Sequence, residues 1–89
     1  MNIEKLLSTK ERFAILRNVI FSEKQFGVNE IAGNLGLSKG LVSKYFEILV
    51  KENALERKKS KFAVKSTKEV KGLRIMINVQ QIKTQIFKK

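Results

Sequence analysis

Val28-Asn29-Glu30-Ile31-Ala32-Gly33-Asn34-Leu35-Gly36-Leu37-Ser38-Lys39-Gly40-Leu41-Val42-Ser43 is the stretch that decides the fold. Asn29 is a favourable N-cap residue ahead of the inward-spaced Ile31, Ala32 and Leu35, which predicts a short helix. Gly36 then takes the left-handed conformation that ends a helix at little cost. Leu37 plugs the turn, and Ser38 caps a second helix with Val42, Phe46 and Leu49 at i, i+4 and i+7. Lys39, Ser43, Lys44 and Glu47 fall on the opposite side. Ala32 is small where the two helices must approach closely, and Gly36 follows four residues later. Size, backbone freedom and apolarity are met together at fixed spacing, the pattern of a helix-turn-helix running from Val28 to Leu49.

On the N-terminal side, Ser8-Thr9-Lys10-Glu11 has the form of a capping box with Ser8 as cap. Phe13, Leu16 and Ile20, widened by Ile15 and Val19, predict a helix over Thr9 to Ser22, with Arg12, Arg17 and Asn18 in water. Leu6 and Leu7 either staple that cap or add a short turn, and Phe26-Gly27-Val28 reads as a brief extended piece.

On the C-terminal side, Asn53 is a left-handed stop. Leu55 on one arm and Phe62 and Val64 on the other alternate as in a half-buried hairpin with a basic tip. Ser66-Thr67-Lys68-Glu69 repeats the capping-box form and opens a last helix. That helix has two apolar stripes, Val70, Leu73 and Ile77, then Ile75, Val79, Ile82 and Ile86. Gly72 weakens it early and fits a close helix crossing. The resulting fold is mainly α with a small β-hairpin (α+β). Its order is helix, short strand, helix, turn, helix, hairpin, helix, that of a winged helix-turn-helix over residues 1–65, with the C-terminal helix 66–86 as a dimerisation element of the same domain.

Composition narrows the function. Cysteine and histidine are both absent, which removes disulfides, thiolate chemistry, most zinc sites and every imidazole acid or base. Eight carboxylates are scattered without a paired spacing and no Gly-rich phosphate loop is present, so catalysis, a metal and a cofactor are not expected. No apolar run approaches the ~20 residues that span a bilayer, and the N-terminus has no signal-peptide pattern, so a cytoplasmic protein is expected.

The net charge of +11 is uneven. Residues 1–56 hold eight Lys/Arg and seven Asp/Glu, hence +1, whereas residues 57–89 hold eleven and one, hence +10. The second part projects a positive field suited to a polyanion, although a solubilising lysine surface has the same composition.

Ser8-Thr9-Lys10-Glu11-Arg12-Phe13-Ala14-Ile15-Leu16 resembles the first-helix pattern of the ArsR/MarR-like winged-helix superfamily of bacterial and archaeal transcriptional regulators. Leu37-Ser38-Lys39-Gly40-Leu41-Val42-Ser43-Lys44-Tyr45-Phe46 is similar to its recognition helix, and Leu49-Val50-Lys51-Glu52-Asn53-Ala54-Leu55-Glu56-Arg57 to its run into the wing. The likeness covers about Thr9 to Val64. Asn53 stands where that pattern has Gly, and without Cys or His the metal-sensing sites of ArsR-type repressors do not carry over.

A helix-turn-helix of this kind places its second helix, here 38–52, in the major groove. Ser38, Lys39, Gly40, Ser43, Lys44 and Glu47 are then the candidate contacts on that helix, and Arg57, Lys58, Lys59 and Lys61 the wing contacts to phosphates or the minor groove. Lys65 and Lys68 complete six positive charges within residues 57–68. Gly40 fits either close approach to DNA or a tight contact inside the chain. Leu41, Tyr45 and Ile48 form a stripe that packs on other helices, unless Leu41 meets a thymine methyl. Ile75, Val79, Ile82 and Ile86 mediate a homodimer, unless Ile75, Val79 and Ile82 cover the chain's own first helix. The expected partner is double-stranded DNA, with no membrane. A protein-interaction or assembly module and a nonspecific nucleic-acid binder are the alternatives.

Overall fold

Two hydroxyls compete to start the first long helix, and Thr9 takes the position. In the computed structural model, which describes residues 3–87 and the side chains of residues 4–79, Thr9 is extended and its Oγ1 accepts from the Arg12 N–H at 3.0 Å. Ser8, the expected cap, instead donates its hydroxyl to the Lys5 carbonyl at 3.3 Å, because a short helix α1 (Ile3–Leu6) brings that carbonyl within reach. Helix α2 (Lys10–Val19) follows, shorter at both ends than the apolar spacing predicts.

Helix α3 (Val28–Leu35) starts two residues earlier than an Asn29 cap would set it. Gly27 is the cap residue, and its N–H donates to the Glu30 carboxylate at 3.4 Å, so an acid in the first turn replaces the Asn29 side chain. Gly36 ends the helix at φ 65°, and the Leu37 N–H closes back on the Ala32 carbonyl at 3.0 Å. Ser38 then caps α4 (Lys39–Lys51), accepting from the Leu41 N–H at 3.2 Å.

The same closure recurs at the end of α4. Asn53 sits at φ 66°, its N–H donating to Val50 and that of Ala54 to Leu49. The chain turns into β1 (Leu55–Lys58), which pairs antiparallel with β2 (Lys61–Val64) in the register Leu55 with Val64 and Lys58 with Lys61. The extended piece expected over Phe26 to Val28 is a single bridge, in which Phe26 and Phe62 exchange bonds of 3.0 and 2.8 Å. It stops there because Gly27 already serves α3.

Helix α5 (Lys68–Phe87) closes the chain. Here again the threonine caps rather than Ser66. Thr67 Oγ1 accepts from the Val70 N–H at 3.2 Å while donating to the Asn53 carbonyl at 3.3 Å, a tertiary contact that Ser66 lacks. The molecule is therefore α+β: five helices and one antiparallel hairpin among the described residues.

One apolar cluster joins these elements. Leu6, Ile15, Leu16 and Ile20 meet Val42, Phe46 and Leu49 of α4, Leu55 and Phe62 of the hairpin, and Leu73 and Ile77 of α5. Phe46 is the hinge of an aromatic chain, edge-on to Phe26 at 5.5 Å and to Phe62 at 4.9 Å. Such pairs each add about 0.5–1.5 kcal/mol beyond area burial. They lock the hairpin and the Phe26 bridge onto α4. Tyr45 is fully buried beside them, and its hydroxyl donates to the Leu6 carbonyl at 2.6 Å. Its stripe neighbours differ: Ile48 is half-buried, while Leu41, expected to pack on other helices unless it meets a thymine methyl, is 37% exposed.

Candidate nucleic-acid interface

The core fixes which face of α4 is left over. With Val42, Tyr45, Phe46 and Leu49 turned inward, Lys39, Gly40, Lys44 and Glu47 are exposed and Ser43 is half-buried. The Ser38 oxygen accepts from the Leu41 N–H as the cap of α4, which leaves its O–H proton to donate at the exposed end of the helix. Lys39 and Lys44 form no ion pair among the described residues.

The hairpin carries the second group. Lys59 and Lys61 are exposed and have no ion-pair partner among the described residues. Lys59 opens the two-residue turn with φ 56°, a left-handed position usually given to glycine. Lys58 leans back on Glu56 at 2.7 Å, and that contact, by hydrogen bond and by charge, holds the Glu56 carboxyl below its ordinary range. Arg57 forms an ion pair with Glu47 of α4, and its guanidinium lies 5.1 Å from the Phe62 ring centre. Two residues expected to face a ligand thus face each other and brace α4 against β1.

Lys65 is also drawn inward, donating to the Asn53 side-chain oxygen at 2.6 Å. Lys68 is exposed at the start of α5. The residues left for a polyanion are therefore Lys39 and Lys44 on α4, Lys59 and Lys61 on the hairpin, and Lys68 at the start of α5.

Three further residues join this surface that spacing alone assigned only to the first helix. Thr9, Glu11 and Arg12 of α2 line an open groove of about 390 Å³ with Gly40, Leu41, Lys44 and Tyr45 of α4. Arg12 sits 5.6 Å from the Tyr45 ring centre and donates to the Lys5 carbonyl at 2.6 Å, half-buried rather than fully in water. That meeting is a product of helix packing, and no local pattern encodes it.

On α5, the stripe of Val70, Leu73 and Ile77 is buried, whereas Ile75 is 66% and Val79 43% exposed. The chain's own first helix therefore does not cover those two. The side chains of Ile82 and Ile86 lie outside the described residues. A Cβ at Gly72 would meet nothing within 4 Å, so no helix among the described residues crosses closely there. No helix among the described residues is long and apolar enough to cross a membrane.

No family model, curated protein or solved structure matches this chain.

Proposed function

We propose that this chain is a winged helix-turn-helix DNA-binding protein, a non-catalytic transcriptional regulator of the cytoplasm that acts as a homodimer. In this reading α3 and α4 are the helix-turn-helix, α4 enters the major groove, and the β1–β2 hairpin is a wing resting on phosphates or in the minor groove. Lys39, Ser43 and Lys44 meet base edges and nearby phosphates, while Lys59 and Lys61 supply affinity without sequence information.

One observation carries the proposal. The polar face of α4 and the hairpin tip hold exposed, unpaired lysines on two elements that the Glu47–Arg57 pair and the Phe46–Phe62 contact hold together. A rigid helix beside a basic loop is the arrangement a duplex groove and its flanking backbone require. The homodimer is supported by the exposed Ile75 and Val79, since paired subunits read paired half-sites.

Selection from a random duplex library, followed by fluorescence anisotropy across a salt series, tests this. Enrichment of a consensus, with log Kd rising by about 0.9 per neutralised phosphate per decade of salt, is the expected outcome. Binding to duplexes without any sequence preference would leave only a nonspecific nucleic-acid binder. No binding to any duplex would reject the proposal.

A further inference from the structure

Gly40 is the second residue of α4, in helical conformation, where alanine or almost any other residue is more favourable. A Cβ built on it meets no atom within 4 Å. Neither backbone conformation nor a tight contact within this chain therefore calls for glycine.

Its surroundings indicate what approaches from outside. Gly40, Leu41 and Lys44 form one wall of the groove between α4 and α2, and Thr9, Glu11 and Arg12 form the other. Leu41 is an exposed apolar side chain on that wall, and Lys44 adds an unpaired cation one helical turn beyond Gly40. A polymer that alternates apolar sugar with anionic phosphate matches both characters, and the chain's charge of +11 draws such a polymer in.

We infer that the groove between α2 and α4 receives one strand of the sugar–phosphate backbone of bound duplex DNA, with Gly40 at the point of closest approach. Leu41 covers a deoxyribose face and Lys44 meets a phosphate. The inference rests on the DNA-binding reading and extends the footprint from the exposed face of α4 to the α2 side.

Gly40→Ala tests it against a matched control, Gly33→Ala. Gly33 is also an exposed helical glycine with open space around it, but it lies outside the groove on a helix without Lys or Arg. Both variants should raise the thermal midpoint, read by circular dichroism, because both replace glycine inside a helix. Only Gly40→Ala should weaken binding to a fluorescein-labelled duplex, by about tenfold, the scale of one lost hydrogen bond. Its salt slope should match that of the unaltered protein, since no charge changes. If the unaltered protein binds duplex and Gly40→Ala binds equally well, the groove assignment is wrong while the DNA reading stands. If the unaltered protein binds no duplex, both fail.

Discussion

Arg57 on the first hairpin strand and Glu47 on the polar face of α4 form an ion pair, with the Arg57 guanidinium also resting on the Phe62 ring. The pair is about half exposed at both side chains, so it contributes at most about 1 kcal/mol to stability. Its larger effect is electrostatic, because it neutralises a cation beside the exposed lysines of α4 and the hairpin. Glu47→Gln should leave the denaturation midpoint nearly unchanged, release Arg57 and tighten duplex binding. The salt slope should steepen by about 0.9, one additional phosphate contact. An anisotropy salt series on the variant and the unaltered protein checks this, and an unchanged slope would mean Arg57 stays out of phosphate reach.

Lys59 opens the hairpin turn in the left-handed region, against its own preference. Lys59→Gly should relieve that strain and stabilise the protein by about 1 kcal/mol, the usual cost of a non-glycine residue there. It should at the same time weaken binding to every duplex alike, as Lys61→Gln should without the gain in stability. Ser43→Ala should instead shift preference among sequences. Urea denaturation and parallel binding to specific and scrambled duplexes separate these outcomes.

The elements set by apolar spacing were legible because spacing reflects burial directly. Val42, Phe46 and Leu49 are buried as their periodicity requires, Val70, Leu73 and Ile77 likewise, and Leu55 and Phe62 face inward from the two strands. Gly36 and Asn53 announced two left-handed stops through residue type alone. What spacing left open was the choice between adjacent capping hydroxyls. Ser8 and Ser66 lost to Thr9 and Thr67 because the Lys5 and Asn53 carbonyls, contributed by other elements, were within reach. Side-chain pairing across elements is likewise invisible locally. Arg57 and Lys65 read as free cations in sequence, yet Glu47 and Asn53 claim them in the fold.

Tyr45 contributes a buried hydroxyl bonded to the Leu6 carbonyl, which anchors α1 to α4. Tyr45→Phe strands that carbonyl and should cost about 1–3 kcal/mol. Burial pushes the phenol above its ordinary value of 10.0, partly offset by the nearby Arg12 charge. The folded state therefore keeps its proton where the unfolded chain loses it. The tyrosine's contribution is complete below pH 10 and declines as pH rises beyond it. Denaturation midpoints of both proteins across pH 8 to 11 should converge at the alkaline end, with lysine titration common to the pair.

Ile75 and Val79 lie one turn apart on α5 and expose apolar surface that none of the described residues covers. If that face joins two copies, Ile75→Glu with Val79→Glu places two carboxylates in each half of the interface. Sedimentation should change from dimer to monomer while the helical circular dichroism signal is retained, because neither residue belongs to the core. Binding to a duplex with two half-sites should weaken far more than binding to one half-site. An unaltered protein that sediments as a monomer at high concentration would reject the dimer.

Asn53 joins three elements from one exposed position. Its backbone closes α4, its Oδ1 accepts from Lys65 at 2.6 Å, its Nδ2 donates to Glu69 at 3.1 Å, and its carbonyl accepts from Thr67. Glycine would meet the conformational demand of φ 66° but none of the side-chain contacts; alanine meets neither. Asn53→Gly should therefore cost only the two exposed hydrogen bonds, and Asn53→Ala about 1 kcal/mol more for the left-handed backbone. Because the joint orients α5 against the hairpin, both variants should also raise hydrogen exchange in the first turn of α5. Equal midpoints for the two would mean that the side-chain bonds, not the turn, explain why asparagine stands there.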